Sequence, residues 1–134
     1  MADDWEIVGL DRETIRRLDL DLDCPHVALG LYRKTKTGKL RKCPDGTGGL
    51  LWRAGLCWLW LDGVDMKHTH PVVAIRMARL MLRKAKALGE TRVIAVRDEA
   101  PCSRKLLEML GATYLGDFPE IVGREVWQWD LRAI

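Results

Sequence analysis

The chain has 134 residues, 48% of them apolar and 31% charged, with a net charge of +3. That length buries a core of its own, and the composition is that of a globular domain rather than a disordered or low-complexity chain. No apolar run is long enough to cross a bilayer, and "MADDWEIVG" lacks the basic start and apolar middle of a signal peptide.

In chain order, "WEIVGL" (5–10) alternates apolar and polar residues and predicts a strand. Asp11 is placed to cap a helix through "RETIRRLDLDL", with Ile15, Leu18 and Leu22 on one face and Pro25 as its stop. "HVALGLYRKT" (26–35) predicts a strand that turns at Thr37-Gly38 into "KLRK", forming a hairpin. "CPDGTGG" (43–49) carries turn chemistry and predicts a loop. "LLWRAGLCWLWLDG" (50–63) predicts one long buried strand, bulged at Gly55.

Pro71 opens a helix that reaches Leu88 and ends at Gly89. "RVIAV" (92–96) reads as a buried central strand, and Pro101 starts a short helix that Gly111 ends. "ATYLGDF" (112–118) and "REVWQWDL" (124–131) close the chain as strands. The predicted order is β-α-β-β-β-α-β-α-β-β, an α/β chain with a mixed central sheet. Residues 1–134 form a single domain in this reading, with no repeat and no linker.

Charge is modest in sum but clustered in position. Arg33, Lys34, Lys36, Lys39, Arg41 and Lys42 crowd into "YRKTKTGKLRK" without an acid, and Arg76, Arg79, Arg83 and Lys86 share one face of the long helix. Each cluster is either a solvated face or a patch for an acidic protein surface or non-specific nucleic-acid contact. Trp58 and Trp60 alternate on one strand and Trp127 and Trp129 on another, so each pair faces one side. The first pair is expected in the core; the second fits a core or a partner surface. The four cysteines, Cys24, Cys43, Cys57 and Cys102, follow no zinc spacing and are expected to be free thiols in a cytoplasmic chain without a metal.

The element order, the "AKALGETRVIAV" spacing and "KLLEMLGATYLG" together resemble the GNAT (N-acetyltransferase) fold, chiefly over residues 56–118. Leu106, Leu110 and Gly111 match the family's L-Y-x-x-L-G pattern. The resemblance places the acetyl-CoA loop at residues 69–74, where only Ala74 fits: His70 and Val72 stand at the glycine positions, and Pro71 has no N–H to donate. The tyrosine acid of the pattern falls on Leu107 and its asparagine on Ala100.

Two expectations follow from the resemblance. The leading one is a non-catalytic protein that binds no cofactor, similar to the small virion-assembly proteins of short-tailed phages. It would act in the host cytoplasm or the virion, against a phage structural protein or other acidic surface and away from membranes. The alternative is a divergent N-acetyltransferase using acetyl-CoA. In that case Val72, Val73 and Ala74 would meet the pyrophosphate and Leu59 and Trp60 the pantetheine arm, with His68, His70, Tyr114 and Asp62 as catalytic candidates. An acetyltransferase-type toxin acting on charged tRNA would need the same loop.

Overall fold

The computed structural model describes residues 4–20, 22–62, 71–97, 103–116 and 125–133. Seven strands and three α-helices follow one another as β1 (Trp5–Gly9), α1 (Arg12–Arg17), β2 (His26–Arg33), β3 (Gly46–Arg53), β4 (Leu56–Asp62), α2 (Pro71–Ala87), β5 (Arg92–Val96), α3 (Ser103–Met109), β6 (Thr113–Gly116) and β7 (Val126–Asp130). All strands join one mixed sheet in the order β1-β2-β3-β4-β5-β7-β6, in which β4 and β5 run parallel and every other pair antiparallel. The expected element order is therefore the observed one, although three segments reach it differently.

The run 50–63 is not one bulged strand. Ala54 and Gly55 both take positive φ (55° and 73°), the pair of conformations a two-residue type I′ hairpin needs, so the chain reverses between β3 and β4. The glycines expected in a loop, Gly48 and Gly49, instead lie in β3. A Cβ on Gly49 would sit 1.9 Å from the Val27 carbonyl oxygen and 2.6 Å from the Trp60 ring, so glycine here serves a close approach of strands rather than a turn. The hairpin expected at Thr37-Gly38 does turn there, with Gly38 at φ 83°, but its second arm pairs only through the single bridge Lys34–Leu40.

Helix α1 is also shorter than its apolar residues suggest. Asp11 caps it as expected, accepting from the Thr14 N–H at 2.8 Å, yet the helix ends before Asp19 (φ 56°) and leaves Leu22 beyond it. "LDLDL" alternates with period two, so a continued helix would turn Leu20 away from the face that Leu18 and Leu22 share.

One face of the sheet carries the main core. Leu29, Leu31, Leu50, Cys57, Leu59, Val93, Ala95, Trp127 and Trp129 pack with Val73, Met77, Ala78, Met81, Leu82 and Ala85 of α2 and with Leu107 and Leu110 of the α3 segment. Helix α2 buries this stripe at intervals of three and four and ends where Gly89 takes φ 91°. Trp127 and Trp129 are core residues, which decides between the two readings left open for them; Trp129 donates to the Leu110 carbonyl at 3.1 Å. Trp58 and Trp60, expected in the core, lie on the opposite face and are half-buried. Among the described residues, Cys24, Cys43 and Cys57 are free thiols, and no helix is long and apolar enough to cross a membrane.

Candidate functional site

Strand directions bring the chemistry to one end of the sheet. β2, β4 and β5 point the same way, so Arg33, Asp62 and Val96 end together, beside the starts of α2, α3 and β7. In a sheet built on a parallel β-α-β crossover, this carboxyl end is where ligands are taken, because helix N-termini converge there.

The ladder between β4 and β5 is short at this end. Its one register pair is Trp58 opposite Ile94, whereas the flanking β3–β4 and β5–β7 ladders run from Thr47–Asp62 to Arg53–Leu56 and from Arg92–Asp130 to Val96–Val126. Leu59 to Asp62 therefore continue past the one register pair with β5. Strand residues without a ladder partner offer backbone amides to an extended ligand in the way a sheet edge does.

Helix α2 opens beside this gap. Val73 and Ala74 turn their side chains into the core, so their contribution to a ligand is confined to backbone N–H groups; Val72 is exposed. Leu59 is likewise a core residue, and Trp60 rests on the glycines of β3. Asp62 is exposed at the end of β4. Tyr114, on β6, is exposed and packs edge-on against Trp127 at 5.7 Å, two strands away from β5. Leu107 is buried in the core, as the absence of a proton-bearing group there requires. His68, His70, Ala100 and Cys102 lie outside the described residues.

A polar cluster that no sequence pattern marks closes the same end. Arg97, the residue after β5, pairs with Glu125, the residue before β7, and its Nε donates to Ser103 Oγ at 3.0 Å at the start of α3. The Arg97 N–H also reaches the Glu125 carbonyl at 2.9 Å. Charged groups half-removed from water hold together because each neutralises the other. Its members are separated along the chain by a helix and a strand, so nothing local announces it.

Cys57 is not a nucleophile. Burial raises its thiol to about 12, with the Glu90 carboxylate adding to the shift, so the thiolate is scarce at neutral pH. Along the outer side of α2, Val72, Ile75, Arg76, Arg79 and Arg83 line an open groove of about 380 Å³.

No protein-family model and no curated protein matches the sequence. Solved structures match the fold. An N-acetyltransferase from Staphylococcus aureus Mu50 superposes with a TM-score of 0.66 at 12% identity, covering 96% of this chain and 98% of that one. A GNAT-family acetyltransferase from the same organism gives 0.66 at 10% identity, covering 95% and 99%. A spermidine/spermine N-acetyltransferase from Vibrio cholerae gives 0.62 at 12% identity, covering 97% and 94%. The class is thereby set: an α/β chain with a mixed seven-stranded central sheet. In particular, it has the GNAT fold over nearly its whole length.

Proposed function

We propose that the protein is an acetyl-CoA-dependent N-acetyltransferase acting on an amine. The observation that carries this reading is the one-pair ladder between β4 and β5 beside the start of α2, a gap that fits an extended acyl-carrier arm with its phosphates at the helix end. The two Staphylococcus aureus structures and the Vibrio cholerae one are acetyltransferases, which supports transfer over a binding-only scaffold.

Acetyl-CoA supplies an activated acyl group as a thioester. Within the chain, the backbone of Leu59 to Leu61 holds the extended arm, and the N–H groups of Val73 and Ala74 at the positive end of α2 hold the diphosphate. The Val73 and Ala74 side chains point away into the core and leave those N–H groups clear, while Val72, at the glycine position, is exposed beside them. Asp62 places a carboxylate at the mouth of the gap, where a proton leaving the attacking amine is accepted. Leu107 has no proton to give at the position the resemblance assigns to the acid, so in this reading catalysis rests on positioning and on Asp62.

The test is a thermal melt with and without acetyl-CoA at fixed salt and protein concentration. A ligand at about a hundred times its Kd adds roughly 2.7 kcal/mol, several degrees for a chain of this size. No shift at millimolar ligand would reject the proposal and return the binding-only reading.

A further inference from the structure

Beyond that reading, and independently of it, we infer that the outer face of α2 and the 33–42 hairpin form one track for the phosphodiester backbone of single-stranded RNA. Val72, Arg76, Arg79 and Arg83 follow one another at helical spacing on a single exposed stripe, opposite the buried stripe of α2. The groove of about 380 Å³ runs along it. No acid occurs in α2, and among the described residues Arg76, Arg79 and Arg83 take part in no ion pair. Three guanidinium groups on one face without counter-charge raise the local positive potential, and a polyanion relieves it by releasing its own counterions.

The spacing suits a nucleic-acid strand. Seven residues of helix separate Arg76 from Arg83, about 10 Å along the axis. A stacked strand advances about 3.4 Å per phosphate, so the row meets about three successive phosphates. Arginine's planar fork matches a phosphate with two donors and also stacks on a base, while Val72 and Ile75 give the groove an apolar floor for a base or ribose. The apolar floor beside the row favours a strand with exposed bases over a purely acidic surface or a duplex whose bases are already stacked and paired.

The hairpin continues the track. Arg33 ends β2 at the same end of the sheet at which α2 begins, and β2 lies two ladder steps from β4, about 10 Å. Arg33, Lys34, Lys36, Lys39, Arg41 and Lys42 are all exposed there. Asp4, Glu6, Asp45 and Asp62 are the carboxylates of the described residues nearest in the fold, four against six positive charges.

The test is fluorescence anisotropy with a fluorescein-labelled, mixed-sequence single-stranded RNA of about 20 nucleotides, titrated at several salt concentrations. The wild-type chain is expected to bind with an affinity that falls steeply with salt. The triple variant R76A/R79A/R83A is expected to bind at least about tenfold more weakly, with its log–log salt slope reduced by about 2, near 0.7 for each phosphate no longer neutralised. The variant K36A/K39A/R41A should lose affinity and slope in the same sense. Melting temperatures of both variants are read alongside, to separate weakened binding from unfolding. Acetyl-CoA shifts, measured in the same variants without RNA, score the transferase reading separately. Absence of wild-type binding at low salt, or an α2 variant with unchanged affinity and slope, would overturn the inference. Tighter binding of a labelled polyglutamate peptide or of an RNA duplex than of the single strand would overturn it too.

Discussion

Trp52 donates its indole N–H to the Glu90 carboxylate at 2.8 Å, tying the end of β3 to the segment that follows α2. The bond spans 38 positions of sequence and is half-buried, so it fixes how α2 returns to the sheet before β5 begins. Trp52→Phe keeps an aromatic ring and removes the donor. The expected loss is about 1–2 kcal/mol in chemical denaturation, and a double-mutant cycle with Glu90→Ala, which removes the acceptor, should show coupling between the two sites. Additive losses would mean that the bond contributes nothing of its own.

Val72→Asp separates ligand binding from folding. The side chain is exposed in the first turn of α2, where a carboxylate is favourable towards the helix dipole, so the melting temperature should hold or rise slightly. The same charge repels a diphosphate. The acetyl-CoA shift should therefore disappear from a protein that is no less stable, and a shift equal to that of the wild type would place the phosphates elsewhere.

Cys57 gives a reactivity and a pH prediction. In a Cys102→Ser background, a thiol reagent at mildly alkaline pH should modify Cys43 at once and Cys24 more slowly, with Cys57 reacting only after denaturation. The folded thiol titrates near 12 against an ordinary 9.0, so the folded chain keeps its proton longer than the unfolded one. That contribution to stability is whole below pH 9 and is lost as pH rises from 9 towards 12. Stability measured over that range should fall more steeply in the parent than in Cys57→Ala.

Gly49 and Gly55 should differ sharply as alanine. At Gly49 the new methyl meets the Val27 carbonyl oxygen at 1.9 Å, a backbone atom that cannot step aside without breaking the β2–β3 ladder. Gly49→Ala is expected to cost more than about 3 kcal/mol or to abolish soluble expression. At Gly55 nothing lies within 4 Å, and the cost is only that of holding alanine at φ 73°, about 1–2 kcal/mol. Comparable melting temperatures for the two variants would contradict this account of β3.

Some of this architecture is written locally. Proline at the start of α2, its apolar stripe at intervals of three and four, and Gly89 at its end define the helix from sequence, and "RVIAV" defines β5. The arginine row on α2 is legible for the same reason: helical periodicity alone puts its members on one side. These features depend on residues a few positions apart, whose interactions the chain makes whatever surrounds it.

The rest depended on packing between distant segments. Whether Gly48 and Gly49 belong to a loop or a strand is decided by Val27 and Trp60 pressing against them, not by the glycines. Only the assembled sheet decides that β4 and β5 share the single pair Trp58–Ile94, and that Trp127 and Trp129 face inward under α3. The Arg97–Glu125–Ser103 cluster likewise needs β5, α3 and β7 already in place. Local conformation is set by sterics and capping within a turn or two of chain. Strand pairing is set by which apolar faces must be buried together, and that choice exists only once the whole chain has closed on its core.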